Sequence, residues 1–156
     1  MLCQKRTVES FGESGPLVLH LSGERDYPGL RDRVDRVGYR LLPYTHEFGA
    51  ALAAADLALA RAGGSVYELA AAATPAVLVP YPHATSDHQA KNARYFEQEG
   101  AAVVVPEQEL TRIPALVSRL LEDEGRLGAM REAMRRVARP GAADDIAEEL
   151  IALAGP

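Results

Sequence analysis

Two short stretches of the chain carry residue types that can grip an anionic, hydroxyl-rich ligand. The first is Arg61-Ala62-Gly63-Gly64-Ser65-Val66-Tyr67-Glu68; the second runs from Pro80-Tyr81-Pro82-His83 through Ser86-Asp87-His88-Gln89 to Asn92. Gly63-Gly64 removes side chains where a backbone must approach a ligand closely, and the helix start behind it presents unpaired N–H groups to an anion such as a diphosphate. A carboxylate in a first helical turn, as at Glu68, can accept two hydrogen bonds from vicinal hydroxyls, which suits a ribose. His88, Gln89 and Asn92 can hydrogen-bond sugar hydroxyls, Gln89 and Asn92 sharing one helix face. Arg61 can meet a phosphate, although an Arg following a strand more often makes a surface ion pair.

The same positions have a purely structural reading. Ser65 with Glu68, and Ser86 with Gln89, have the spacing of capping boxes, and a cap contributes about 1 kcal/mol. The glycine pair is not a GxGxxG fingerprint and no GxxxxGK[ST] loop occurs, so neither a dinucleotide dehydrogenase nor a P-loop NTPase is supported. His20 falls inside an expected strand and reads as a packed core residue. His46 and Glu47 read as loop or capping residues, and Glu122-Asp123-Glu124 as a solvated helix junction. No metal site and no cofactor are indicated.

The elements that must position these residues follow from hydrophobic pattern. Compact apolar runs predict strands over 17–21, 39–44, 56–60, 76–79 and 100–105. Helical patterns lie between them, over 27–37, 48–55, 65–73 and 87–98. After Pro106 the strands stop and three helices follow, over 111–122, 124–137 and 142–153, bounded by Pro114, Gly125, Pro140 and Gly141. Strand and helix alternate for most of the chain. The expected fold class is therefore α/β, a Rossmann-like parallel sheet with helices on both faces that ends in helices. Residues 1–15 read as an irregular entry holding a short helix near 7–11, and 16–156 as the domain proper.

At 156 residues the chain suits one domain with a real core. Its net charge of −5 argues against nucleic acid, since phosphate-backbone binding needs a basic face. The single Cys3 excludes an internal disulfide and leaves no cysteine cluster for zinc; a reducing cytoplasm fits. No apolar run approaches the roughly 20 residues of a membrane-spanning helix, and the first residues lack the apolar core of a secretory signal.

Taken together the motifs resemble a known family. Arg61 to Glu68, then Pro75-Ala76-Val77-Leu78-Val79-Pro80-Tyr81-Pro82-His83, then His88-Gln89 and Asn92-Ala93, closed by Gly100-Ala101-Ala102, are similar to the C-terminal domain of the bacterial MurG transferases of glycosyltransferase family 28. Those are UDP-N-acetylglucosamine:N-acetylmuramyl-(pentapeptide) pyrophosphoryl-undecaprenol N-acetylglucosamine transferases. The resemblance implies the donor half of a GT-B enzyme of peptidoglycan synthesis that binds UDP-GlcNAc. It further implies that Glu68 holds the ribose, that Gly63, Gly64 and Ser65 line the diphosphate, and that His88 and Gln89 contact the GlcNAc hydroxyls with Asn92 in support. Tyr44 and Thr45 match the place where the family holds the uracil, and Arg61 opens the motif.

Departures from the family pattern are equally informative. The family's N-terminal domain binds the lipid-linked acceptor, lipid I, and supplies the candidate base; no equivalent stretch occurs here, so no catalytic residue is expected in this chain. A first strand with its Gly-Ser-x-Gly-Ala loop is also lacking before Pro16, and the sheet is expected to have lost a central strand. The resulting expectation is a half-enzyme inactive alone, in the cytoplasm or at the inner face of the plasma membrane through its partner. The alternatives are a non-catalytic or split-enzyme subunit working with a separate acceptor-binding chain, another GT-B enzyme such as a UDP-GlcNAc epimerase, and an interaction protein whose polar residues are only caps.

Overall fold

A computed structural model describes residues 16–34, 37–84 and 87–155. Among the described residues five strands alternate with helices, as the hydrophobic pattern predicts: β1 (Val18–Leu21), α1 (Tyr27–Arg31), β2 (Tyr39–Leu42), α2 (Phe48–Ala53), β3 (Ala58–Ala60), α3 (Val66–Ala71), β4 (Ala76–Leu78), α4 (His88–Gln98) and β5 (Ala102–Val104). A 3₁₀ turn over Glu107–Arg112 leads into α5 (Ile113–Glu122), α6 (Glu124–Val137) and α7 (Ala142–Ala154).

Most elements are shorter than their apolar runs. β2 ends before Pro43, which has no N–H to give the ladder. The helix expected over 27–37 closes after one turn, the Asp32 N–H reaching back to the Leu30 carbonyl. The short helix expected near residue 7, and the entry around it, lie outside the described residues. Asp123 caps α6 by accepting the Arg126 N–H at 2.9 Å, so part of the acidic junction does local structural work.

The parallel α/β architecture is present, but not as one sheet. Among the described residues β1 pairs with β2, and β3-β4-β5 form a separate three-stranded sheet, every pairing parallel. Period-two alternation along β4 explains the layers. Ala76 and Leu78 join Val66, Leu69, Ala93 and Phe96 on one face. Val77 and Val79 join Ile113, Val117 and Leu120 on the other. The sheet around β4 is therefore covered by α3 and α4 on one side and by α5 on the other, and the β4 residues Ala76 to Leu78 are fully buried. By contrast α7 buries none of its residues and leaves Ile146, Leu150 and Leu153 exposed at helical spacing.

His20 is 2% exposed and its Nδ1 lies 2.8 Å from the Tyr39 hydroxyl. Burial lowers its pKa to about 4, so it is a neutral core residue, as its strand position predicts. No described helix is long and apolar enough to cross a membrane.

Candidate functional site

The candidate site lies at the carboxyl ends of the strands. Among the described residues β1 and β2 form one parallel pair and β3-β4-β5 a separate parallel sheet. Parallel α/β sheets bind ligands in the crevice beyond the strand carboxyl ends. The loop leaving β3 is Arg61 to Ser65, and its neighbour leaving β4 begins at Val79-Pro80.

Side chains of Arg61, Gln89 and Asn92 fasten these two loops together. Asn92 Nδ2 on α4 donates to the Ala62 carbonyl at 3.0 Å. Gln89 Oε1, three residues earlier on the same helix, accepts the Tyr81 N–H at 2.9 Å. Arg61 reaches across to donate to the Val79 and Pro80 carbonyls at 3.3 and 3.4 Å, and its guanidinium lies 5.3 Å from the centre of the Tyr81 ring. It also forms a two-bonded pair with Glu107, at 3.1 and 3.2 Å, the two side chains being 20% and 25% exposed. Arg61 is thus engaged in the ion pair set beside its phosphate reading, and Glu107 turns the β3 loop, the β4 loop and the 3₁₀ turn into one braced unit.

The braced loop leaves a patch of backbone open. The Gly63 and Gly64 carbonyls accept the Val66 and Tyr67 N–H groups at 3.2 Å. The N–H groups of Gly63, Gly64 and Ser65 have no acceptor among the described residues. Neither glycine has a positive φ. A Cβ added at Gly64 would meet nothing within 4 Å, and one at Gly63 only Gln89 Nε2, at 4.0 Å. Folding therefore does not call for glycine at either position; what two glycines achieve is clearance above three unpaired donors.

The capping box expected at Ser65 and Glu68 does not form. Ser65 occupies the N-cap position of α3 but has helical backbone angles, and its side chain makes no cap bond. A hydroxyl caps N2 or N3 from an extended N-cap residue, and the preceding turn has already drawn Ser65 into the helical region. The exposed Glu68 carboxylate has no side-chain partner among the described residues. At the second helix start Ser86 lies outside the described residues, while Gln89, its expected capping partner, spends its oxygen on Tyr81. His88 is exposed in the first turn of α4.

Gly63, Gly64, Ser65, Gln89 and Asn92 are thus brought together, with Glu68 one turn into α3. Tyr44 and Thr45 stand apart, after β2 in the other sheet. Tyr44 is 63% exposed, edge-on to His46 at 5.1 Å, and Thr45 Oγ1 accepts the Glu47 N–H at 3.1 Å just before α2. Reasoning from sequence missed Glu107 and the role of the Tyr81 backbone. Glu107 lies 46 positions from Arg61 and carries no local signal of the pairing.

Known proteins resemble the chain over most of its length. Residues 4–149 match the glycosyltransferase family 28 C-terminal domain. The chain is 40% identical over 153 residues to the UDP-N-acetylglucosamine--N-acetylmuramyl-(pentapeptide) pyrophosphoryl-undecaprenol N-acetylglucosamine transferase of Nitratidesulfovibrio vulgaris strain DP4, with 94% of this chain and 42% of that protein covered. It is 45% identical over 160 residues to the enzyme of the same name from Desulforudis audaxviator, covering 95% and 43%. The crystal structure of Acinetobacter baumannii MurG superposes with a TM-score of 0.75 at 28% identity, over 86% of this chain and 41% of that one. CalG4, the calicheamicin glycosyltransferase, superposes with a TM-score of 0.68 at 26% identity, over 90% and 37%. The chain therefore spans about two fifths of the length of the curated relatives it matches. A family match over residues 4–149, relatives 40% and 45% identical and a shared fold lead to one assignment: the chain belongs to the glycosyltransferase family 28 C-terminal domain family.

Proposed function

We propose that the chain is the UDP-GlcNAc-binding half of a MurG-like inverting N-acetylglucosaminyltransferase, which converts lipid I to lipid II in peptidoglycan synthesis. The observation that carries this reading is the cleared glycine loop after β3, with three N–H groups that have no acceptor among the described residues. Those donors from Gly63, Gly64 and Ser65 face the donor diphosphate. Glu68 accepts the ribose hydroxyls, His88 and Gln89 contact the GlcNAc hydroxyls, and Tyr44 and Thr45 hold the uracil from the β2 side. Asn92 supports them by holding the glycine loop through Ala62. Arg61, saturated by Glu107 and two carbonyls, acts mainly as the brace of the loop. Residues 16–156 form the donor-binding domain, with 1–15 as its entry.

In the reaction a hydroxyl of the lipid-linked acceptor attacks the anomeric carbon as the bond to the diphosphate oxygen breaks, with inversion. A base from an acceptor-binding domain takes the hydroxyl proton, and the departing UDP carries the bonding pair. Backbone donors held rigidly at the diphosphate stabilise the charge that grows there, which is this half's contribution to the barrier. The acceptor domain, whether in the same polypeptide or a separate chain, completes the site on the cytoplasmic face of the membrane. Alone, this half is catalytically incompetent.

Calorimetric titration with UDP-GlcNAc tests the reading. Glu68→Ala and Gln89→Ala are each expected to weaken binding by about tenfold, the loss of one or two hydrogen bonds to charged or hydroxyl groups. Unchanged affinity in both variants would place the ligand elsewhere, and GlcNAc transfer to a lipid I analogue by the purified chain would overturn the half-enzyme assignment.

A further inference from the structure

Tyr81 combines exposure with a tightly held position beside the glycine loop. Tyr67 and Tyr95 are exposed too, but both rest edge-on against the buried Phe96, at 5.6 and 5.5 Å, and so cover the core. Tyr81 is 43% exposed and belongs to neither core cluster among the described residues. We propose that its ring is a platform for the donor sugar, taking the apolar C–H face of the hexose carried by the nucleotide diphosphate. This deepens the donor-site reading above and rests on it.

Backbone and ring are both held. Tyr81 stands between Pro80 and Pro82, and the proline that follows keeps it out of helical backbone. Its N–H donates to Gln89 Oε1 at 2.9 Å. The Arg61 guanidinium over the ring, 5.3 Å from its centre, is itself fixed by Glu107 and by the Val79 and Pro80 carbonyls. His83 meets the ring edge-on, with centres 5.6 Å apart and planes at 80°. These supports are polar or cationic, so they orient the ring without burying it. A ring fixed before its ligand arrives loses little freedom on binding, and an aromatic side chain offers a large contact area for that small loss.

Position selects the part of the ligand. The Gln89 amide bridges the glycine loop and Tyr81: its oxygen accepts the Tyr81 N–H, and its nitrogen lies 4.0 Å from where a Cβ on Gly63 would stand. Tyr81 therefore begins one side-chain amide beyond the loop that faces the diphosphate. In a nucleotide sugar the group attached to the distal phosphate is the hexose. A pyranose carries hydroxyls around its rim and C–H bonds on its faces, so amide and imidazole groups suit the rim and an aromatic ring suits a face. The Tyr81 hydroxyl has no partner among the described residues, and removing it leaves every support of the ring in place.

Calorimetric titration of the intact chain with UDP-GlcNAc and separately with UDP tests the platform in Tyr81→Leu and Tyr81→Phe. The ratio of the two dissociation constants is the sugar's own contribution, and UDP affinity reports whether the loops remain in place. Expected for Tyr81→Leu are UDP affinity within about twofold of the parent and UDP-GlcNAc affinity at least about fivefold weaker. Tyr81→Phe is expected to keep both within about twofold. The pyranose C–H resonances of bound UDP-GlcNAc are expected to move upfield under the ring current in the parent and in Tyr81→Phe, and to stay in place in Tyr81→Leu. An unchanged sugar contribution in Tyr81→Leu would overturn the platform. So would equal losses of UDP and UDP-GlcNAc affinity, which would make the ring a support of the loop alone. A loss in Tyr81→Phe as large as in Tyr81→Leu would move the contact to the hydroxyl and overturn the ring-face assignment. No UDP binding by the parent chain would overturn the donor reading, and this proposal with it.

Discussion

The Arg61–Glu107 pair separates a brace from a phosphate ligand, and its energetics can be worked from the geometry. Arg61→Met removes two bonds to a carboxylate at 3.1 and 3.2 Å, two to the Val79 and Pro80 carbonyls, and the contact with the Tyr81 ring. A hydrogen bond to a charged group is worth about 1.5–3 kcal/mol when buried. These side chains are 20% and 25% exposed, so screening brings the whole carboxylate pairing to about 1–2 kcal/mol. The ring contact adds about 0.5–1 kcal/mol, and the abandoned carbonyls bring the total for Arg61→Met to about 3 kcal/mol. For a domain of this size that is a fall in Tm of about 6–12 °C. Thermal unfolding of Arg61→Met, Glu107→Gln and the double variant gives the coupling directly, expected at about 1–2 kcal/mol. Titration with UDP-GlcNAc on Glu107→Gln supplies the second readout: releasing the guanidinium from its carboxylate leaves affinity equal or weaker if Arg61 is a brace. Coupling below about 0.5 kcal/mol, together with tighter UDP-GlcNAc binding by Glu107→Gln, would refute the bracing argument and return Arg61 to the phosphate.

Two further outcomes follow from individual residues. Gly64→Ala places a methyl in open space at an ordinary φ, so stability is expected to hold or rise by about 0.4–1 kcal/mol, while UDP-GlcNAc affinity falls at least about tenfold because the methyl stands over the donor amides; paired melting and titration curves check it, and full affinity would remove the clearance argument. His20 has its pKa lowered to about 4 by burial, so the unfolded chain takes up its proton first on acidification. Stability from this residue is present above the unfolded value of about 6.5, declines as pH falls, and is lost below about 4. His20→Gln is expected to flatten the pH 4–6.5 limb of the stability curve by about 1–3 kcal/mol, read by urea unfolding at several pH values.

The alternation of strands and helices was legible in sequence because each element is short and its apolar pattern is local: the run Ala76-Val77-Leu78-Val79 reads as a strand buried on both faces, and it is one. Element ends were less legible, since they depend on which backbone groups find partners, as Pro43 and the early closure of α1 illustrate. The glycine loop was visible from its composition, and Gln89 and Asn92 from their helical spacing. Local pattern could not choose between caps and ligand donors at Ser65 and Glu68, because the same spacing serves both. The structure shows only that the cap is not made, since Ser65 lies at helical angles that deny its hydroxyl the bond. Tertiary structure alone brought Glu107 to Arg61 and set β1 and β3 against one cavity. The physical reason is common to both: local propensity acts over a few residues, whereas charge pairing and strand packing join groups that folding carries in from far along the chain.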